Sequence, residues 1–108
     1  MAKTSLRIYP EDIYDDDDPN GISDLVQDWD GPLLPIGTDV IICIGENSEL
    51  DTIAATVSRL SLELTVDEEP TVFIQLKPYE DICKWLVKNV SREAFYRDMT
   101  KLGWHLRR

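Results

Sequence analysis

The chain has 108 residues, of which 43% are hydrophobic and 30% charged, and its formal net charge is −10. This length fits one domain, residues 1–108, with a single hydrophobic core. No apolar run approaches the roughly 20 residues that cross a bilayer, and the amino-terminal residues lack the apolar segment of a secretory signal. We therefore expect a cytoplasmic protein that does not contact a membrane.

The charge is distributed unevenly along the chain. Residues 1–75 carry 17 acidic and three basic side chains, a net charge of −14, whereas residues 76–108 carry four acidic and eight basic side chains, a net charge of +4. A long-range negative field repels nucleic acid and attracts basic protein surfaces. The composition therefore favours a protein as the partner over nucleic acid.

The amino-terminal part of the chain is predicted to contain two strands joined by an acidic loop. Residues 5–9 alternate apolar and polar side chains and predict a strand that ends at Pro10. Residues 10–31 form the acidic loop, in which residues 22–29 have the apolar spacing of a short helix. Residues 38–45 are apolar on both faces and predict a strand in the interior of a sheet.

The middle of the chain changes from a helical to an alternating pattern. Apolar side chains between residues 50 and 60 recur at helical spacing and predict a helix, although their threonine and valine content leaves a strand open. Residues 60–76 hold two alternating runs around a polar turn. This pattern predicts a β-hairpin with one buried and one solvated face.

The carboxyl-terminal third is predicted to be helical over residues 79–102. Ser91 is placed to cap a second helix, and Gly103 is placed to end it in a left-handed turn that returns Trp104 onto Met99. The elements together predict an α+β fold. We expect a small three- to four-stranded sheet with two or three helices packed mainly on one face.

The acidic side chains are the first candidate site, because acids steer a basic partner and aromatic side chains supply packed contact area. We expect a non-enzymatic protein that binds a basic protein surface, as an inhibitor, an immunity protein, an anti-defence protein or a nucleic-acid mimic does. The alternative is that the aromatic residues belong to the core and the acids only aid solubility. The predicted partner-binding residues are Asp15, Asp16, Asp17, Asp18, Asp28, Trp29, Asp67, Glu68 and Glu69.

The acidic loop also contains half of a calcium-binding pattern. Oxygen ligands at alternate positions followed by a glycine match the start of such a loop, at Asp16, Asp18, Asn20, Gly21 and Asp24. The twelfth position is Gln27, which cannot supply a bidentate carboxylate. A calcium-dependent module is therefore an alternative function, and no cofactor is expected.

The basic end of the chain supports a second alternative, which is nucleic-acid binding through the carboxyl-terminal helices. The stretch TKLGWHLRR also resembles the helix–Gly–Trp–basic strand segment of HicA-type RNA-cleaving toxins. The matching nine residues do not include the catalytic histidine of that family, so its activity is not expected here. The basic residues are Lys84, Lys88, Arg92, Arg97, Lys101, Arg107 and Arg108.

The sequence contains no motif that indicates catalysis. His105 is the only histidine, and neither a nucleophile elbow nor a glycine-rich phosphate loop is present. Cys43 and Cys83 lie in apolar stretches, and we expect two buried free thiols. A subunit of a larger assembly, or a homo-oligomer with Trp85 or Trp104 at its contact, is the remaining alternative.

Overall fold

The computed structural model describes residues 2–15, 17–43 and 52–108. In these ranges the chain forms six strands, one 3₁₀ turn and two α-helices. In chain order the elements are β1 (Lys3–Ile8), the 3₁₀ turn (Pro10–Asp12), β2 (Asp24–Asp28), β3 (Asp39–Cys43), β4 (Thr52–Glu63), β5 (Thr71–Pro78), α1 (Glu80–Asn89), α2 (Arg92–Lys101) and β6 (His105–Arg107).

The strands form one mixed sheet in the order β3-β4-β5-β1-β2-β6. The β1 and β5 strands run parallel, and every other neighbouring pair is antiparallel. The predicted α+β class holds, and two of the expected two or three helices are present, but the prediction of a three- to four-stranded sheet is wrong. The sheet is larger because two segments predicted to be helical are strands and because β6 was not foreseen.

The core lies between one face of the sheet and the two helices. Alternate strand residues point to this helix face, as the period of two in a strand requires. The sheet residues of the core are Leu6, Ile8, Leu25, Ile53, Ala55, Val57, Ile74 and Leu76, and the helices add Leu86, Phe95 and Met99. The opposite face, called the open face below, is not covered by either helix.

The segment predicted as a short helix at residues 22–29 forms β2 instead. Leu25 is fully buried in the core, while its neighbours Asp24 and Val26 point to the open face. The β2 strand pairs with β1 on one side and β6 on the other. Only three apolar residues in this segment have helical spacing. The long-range backbone hydrogen bonds to β1 and β6 therefore stabilise a strand more than this spacing stabilises a helix.

The predicted helix over residues 50–60 is also wrong, because Thr52–Glu63 is the strand β4. Ile53, Ala55 and Val57 are buried at a spacing of two, and β-branched side chains in this segment suit a pleated surface. The strand pairs with both β3 and β5. Residues 50 and 51 of the predicted helix lie outside the described ranges.

The strand predicted at 38–45 is present as β3, but it lies at the edge of the sheet and not in its interior. Val40 and Ile42 pack against the core, whereas Ile41 points to the open face and is exposed. Residues 44 and 45 of this prediction are outside the described part of the chain. Cys43 is also exposed and Cys83 is half-buried, so the expectation of two buried thiols is wrong.

The carboxyl-terminal elements lie where the sequence predicts them. The Ser91 side chain accepts a hydrogen bond from the Ala94 backbone N–H at 3.2 Å, and Gly103 has a φ of 95°. The Trp104 N–H donates to the Met99 carbonyl oxygen at 3.1 Å, which returns the chain toward the sheet as β6. In the described part of the chain, neither helix is long and apolar enough to cross a membrane.

Candidate functional site

The β1–β2 loop, residues 9–23, carries the largest group of predicted site residues and is anchored to the helices through Tyr14. The Tyr14 ring is buried, and its hydroxyl donates a hydrogen bond to the Val90 carbonyl oxygen at 2.9 Å. The ring centre lies 5.9 Å from that of Phe95, in the tilted arrangement that aromatic pairs favour. Burial raises the pKa of Tyr14 to about 12, so the hydroxyl remains a hydrogen-bond donor.

Asp18 fixes the other end of the β1–β2 loop. Its Oδ2 accepts a hydrogen bond from the Tyr96 hydroxyl at 2.5 Å, and its Oδ1 accepts one from the Asn20 backbone N–H at 2.8 Å. Desolvation raises the pKa of Asp18, but these hydrogen bonds and the positive charge of Arg92 outweigh it and lower that pKa below its ordinary value. The Asp18 carboxylate therefore interacts with other groups of the same chain.

Arg92, the first residue of α2, brings a positive charge to the base of the loop. Its Nη1 donates a hydrogen bond to the Asp17 carbonyl oxygen at 3.0 Å and lies 4.0 Å from the Asp18 carboxylate. Its guanidinium also lies 5.7 Å from the centre of the Tyr14 ring. Part of the loop's negative charge is therefore balanced within the protein.

Two adjoining cavities are lined by the β1–β2 loop and the helices. The first, of about 480 Å³, lies beside α2, and the second, of about 350 Å³, lies beside α1. Asp12 and Asp15 line both cavities. The acidic residues that line the first cavity are Glu11, Asp12, Asp15, Asp17 and Asp18, and Arg92 is the only base among its described lining residues.

The second cavity combines charge with apolar surface. Three acids and one base, Asp12, Asp15, Glu80 and Lys84, line it together with the apolar side chains of Ile13 and Val87. Asp15 and Glu80 are exposed. The cavity can therefore receive a long side chain that has an apolar stem and a positively charged end.

Asp12 is the most unusual carboxylate of this region. Desolvation by burial raises its pKa, with a smaller contribution from Glu11 and an opposing one from Lys77. Its Oδ2 is buried and has no hydrogen-bond partner among the described residues. Burial, reinforced by the charge of Asp12, also raises the pKa of the Cys83 thiol, which keeps this sulfur protonated and unreactive.

Asp28 and Trp29 lie away from the β1–β2 loop, at the far end of β2. Four residues of extended strand, about 13 Å, separate Asp28 from Asp24, and the Asp28 carboxylate pairs with Lys3 at 3.2 Å. The Trp29 ring packs against the core, and its Nε1 donates a hydrogen bond to the Pro32 carbonyl oxygen at 2.8 Å. The structure therefore does not bring these residues together with Asp15 and Asp17.

Gly31 is required for the position of the Trp29 ring, which gives a first testable prediction. A Cβ atom at Gly31 would lie 2.4 Å from Trp29 Cζ2, far inside van der Waals contact. We expect Gly31→Ala to displace the ring and lower the free energy of unfolding by about 1–3 kcal/mol. Urea unfolding followed by tryptophan fluorescence measures both effects, with the exposed neighbour Asp30→Ala as control. Equal stability of the two variants would contradict the prediction.

The remaining predicted acids, Asp67, Glu68 and Glu69, lie at the tip of the β4–β5 hairpin and are exposed. Asp67 has a φ of 65°, the left-handed conformation that aspartate tolerates in turns. The Lys3 backbone N–H donates to the Pro70 carbonyl oxygen at 2.8 Å, so this tip lies at the same end of the sheet as Asp28. The predicted surface is therefore divided between two ends of the molecule.

The residues of the calcium alternative do not converge on one point. Asp24 points to the open face, where two arginines bind its carboxylate, whereas Asp18 is bound to Tyr96 on the helix side. Asp16 lies outside the described residues. Within the ranges that the structure describes, no three side chains of ligand type are close enough to hold a metal ion.

The predicted basic surface is also divided. The extended conformation of Val90 separates α1 from α2, so Lys84 and Lys88 do not share a continuous helix face with Arg92. Lys84 pairs with Glu80 at 3.4 Å, while Arg92 is buried against the loop.

A buried ionic cluster on the open face was not predicted from the sequence. Arg107 donates two hydrogen bonds to Asp24, at 2.9 and 2.7 Å, and Arg7 Nε lies 3.0 Å from the same carboxylate. Arg7 also binds Glu63 at 2.5 Å and stacks over the Phe73 ring. The sequence offers no signal for this cluster, because Arg7 alternates with Leu6 and Ile8 in β1 and this pattern predicts a solvated side chain.

No protein-family model matches the chain, and neither does any curated protein or any solved structure compared with it. Evidence for the function of the chain therefore comes from the charges, cavities and surfaces of its own residues.

Proposed function

We propose that the chain is a non-enzymatic protein that binds a basic surface of another protein through the two cavities of the β1–β2 loop. The observation that supports this most directly is the lining of the first cavity, in which five carboxylates face one guanidinium. Because Arg92 binds the Asp17 backbone carbonyl oxygen and lies beside the Asp18 carboxylate, the exposed carboxylates of Glu11, Asp15 and Asp17 can meet a partner.

The shape of the site suits lysine and arginine side chains. Such a side chain has an aliphatic stem that packs on apolar surface and a charged end that remains near polar groups. In the second cavity Ile13 and Val87 provide the apolar contact, and Asp15 provides the negative charge, since Lys84 pairs with Glu80. Two adjoining cavities with a shared acidic wall accommodate two neighbouring basic side chains of one partner.

The anchoring of the loop favours binding over a purely solubilising role. Tyr14, Asp18 and Arg92 hold the loop on the helices through hydrogen bonds to backbone and side chains. A loop that is already ordered loses less conformational entropy when a partner binds. The net charge of −10 adds long-range attraction, which speeds the encounter with a basic surface.

The experiment that tests this site compares two double variants with the same change of charge and the same spacing. We expect Asp15→Asn with Asp17→Asn to weaken the binding of an oligolysine peptide about fivefold at low salt, because both side chains are exposed acids of the first cavity. Fluorescence anisotropy of the labelled peptide measures the dissociation constant.

The matched control is Asp28→Asn with Asp30→Asn, at the far end of β2. We expect this variant to change the dissociation constant by less than about twofold, since its acids do not line either cavity. Equal losses in the two double variants would mean that the peptide senses only the net charge, and the proposed site would be wrong.

A further inference from the structure

The outer edge of β4 is paired along only part of its length. The β3 strand covers residues 52–56, and the last backbone hydrogen bonds on this side join Val57 to Gly37 and Thr38, at 2.8 and 2.9 Å. A β-bulge between Val57 and Arg59 follows. No described residue pairs with the outer edge of residues 59–63, so about two or three N–H and C=O pairs point away from β5 there.

Apolar side chains alternate along this unpaired edge of β4, and their exposure to solvent increases toward the hairpin tip. Leu60 packs partly against the core, whereas Leu62 is 58% exposed, and Leu64 and Val66 are exposed still further. The spacing of two places Leu60 and Leu62 on the helix face of β4. An unpaired edge beside exposed leucines is what strand addition by a partner requires, because backbone hydrogen bonds supply affinity and alternate side chains supply specificity.

The charge around this edge defines the partner further. Residues 59–70 contain four acids, Glu63, Asp67, Glu68 and Glu69, and one base, Arg59. A second copy of the chain would bring its own net charge of −10 to the same edge, and this repulsion disfavours self-pairing. Complementarity instead favours a segment with basic side chains.

We propose that the outer edge of residues 59–63 is a strand-addition site for an extended segment of a partner protein that alternates apolar and basic side chains. Its apolar side chains would lie beside Leu60 and Leu62. Its basic side chains would lie toward the hairpin acids Asp67, Glu68 and Glu69, since Arg7 already binds Glu63. This surface is separate from the cavities of the β1–β2 loop and does not depend on them.

The test uses the whole ¹⁵N-labelled chain and a synthetic peptide of about eight residues that alternates valine and lysine. We expect chemical-shift changes centred on residues 59–63 and slower hydrogen exchange of every second amide in that segment, because those N–H groups gain acceptors. Shift changes confined to residues 9–23 and α1 would overturn the proposal, since the peptide would then occupy the loop cavities. Formation of a dimer in the absence of peptide would overturn it too.

Two controls separate strand addition from general attraction. A peptide with N-methyl groups on alternate residues keeps the charge but loses its backbone donors, and we expect it to bind about tenfold more weakly. Leu62→Ser removes an apolar contact at the edge, whereas Leu106→Ser removes a leucine that is 39% exposed from β6, at the opposite edge of the sheet. Only the first substitution should weaken binding, and equal effects of the two would contradict the proposed site.

Discussion

Asp24→Ala is expected to lower the free energy of unfolding by about 3–5 kcal/mol, which would be among the largest effects of any single substitution in this chain. The Asp24 side chain is 3% exposed and lies between Arg107 and Arg7, of which Arg7 is buried on the open face. Removal of the carboxylate leaves the Arg7 guanidinium in a dry environment with Glu63 as its remaining acidic partner. Removing one partner of a buried ion pair is much more costly than losing a surface pair.

Asp28→Ala is the matched control, because it removes the same side chain from the same strand. The Asp28 carboxylate is 69% exposed, and its partner Lys3 is exposed as well. Surface ion pairs contribute little, so we expect a change of less than about 1 kcal/mol. Urea unfolding of the two variants measures the difference. Similar losses would show that the Arg7 cluster contributes no more than a surface pair.

Phe95→Ala is expected to cost about 3–5 kcal/mol and to release the β1–β2 loop from the helices. The Phe95 ring is fully buried in the core and lies 5.9 Å from the Tyr14 ring and 6.2 Å from the Tyr96 ring. A cavity at this position removes the surface on which the two anchoring tyrosines pack. The substitution therefore acts on stability and on the candidate site together.

Unfolding in urea measures the loss of stability, and hydrogen exchange of the Tyr14 amide, whose N–H is bonded to the Pro10 carbonyl oxygen, reports the release of the loop. Val87→Ala on the exposed side of α1 serves as the control and should leave both quantities nearly unchanged. If Phe95→Ala destabilised the chain without faster exchange at Tyr14, the loop would not depend on this packing.

The parts of the fold that depend on local signals were predictable from the sequence. Each of these signals involves residues that are close together in the sequence. They are the serine cap at Ser91, the left-handed turn at Gly103 and the two alternating runs around residues 67–70. The β2 and β4 strands were not predictable in this way, because their apolar spacing also fits a helix over a short window. Pairing with strands distant in the sequence decides between the two structures.

The composition of the candidate site was predictable, but its arrangement was not. The row of acids is evident in the sequence, whereas the anchors Tyr14, Arg92 and Tyr96 carry no motif and come together only through the packing of α2 against the loop. Trp29 was predicted to hold a partner, and its ring instead packs against the core. The sequence does not show whether a single aromatic side chain in an acidic stretch faces the core or the solvent.

The most direct measurement is the association rate of the chain with a purified basic partner, isolated from the host through the tagged chain, at about 20 mM and about 300 mM salt. For Asp15→Asn with Asp17→Asn we expect association to slow about tenfold at the lower salt and less than about twofold at the higher one. Equal slowing at both concentrations, or none at either, would contradict electrostatic recognition by the β1–β2 loop.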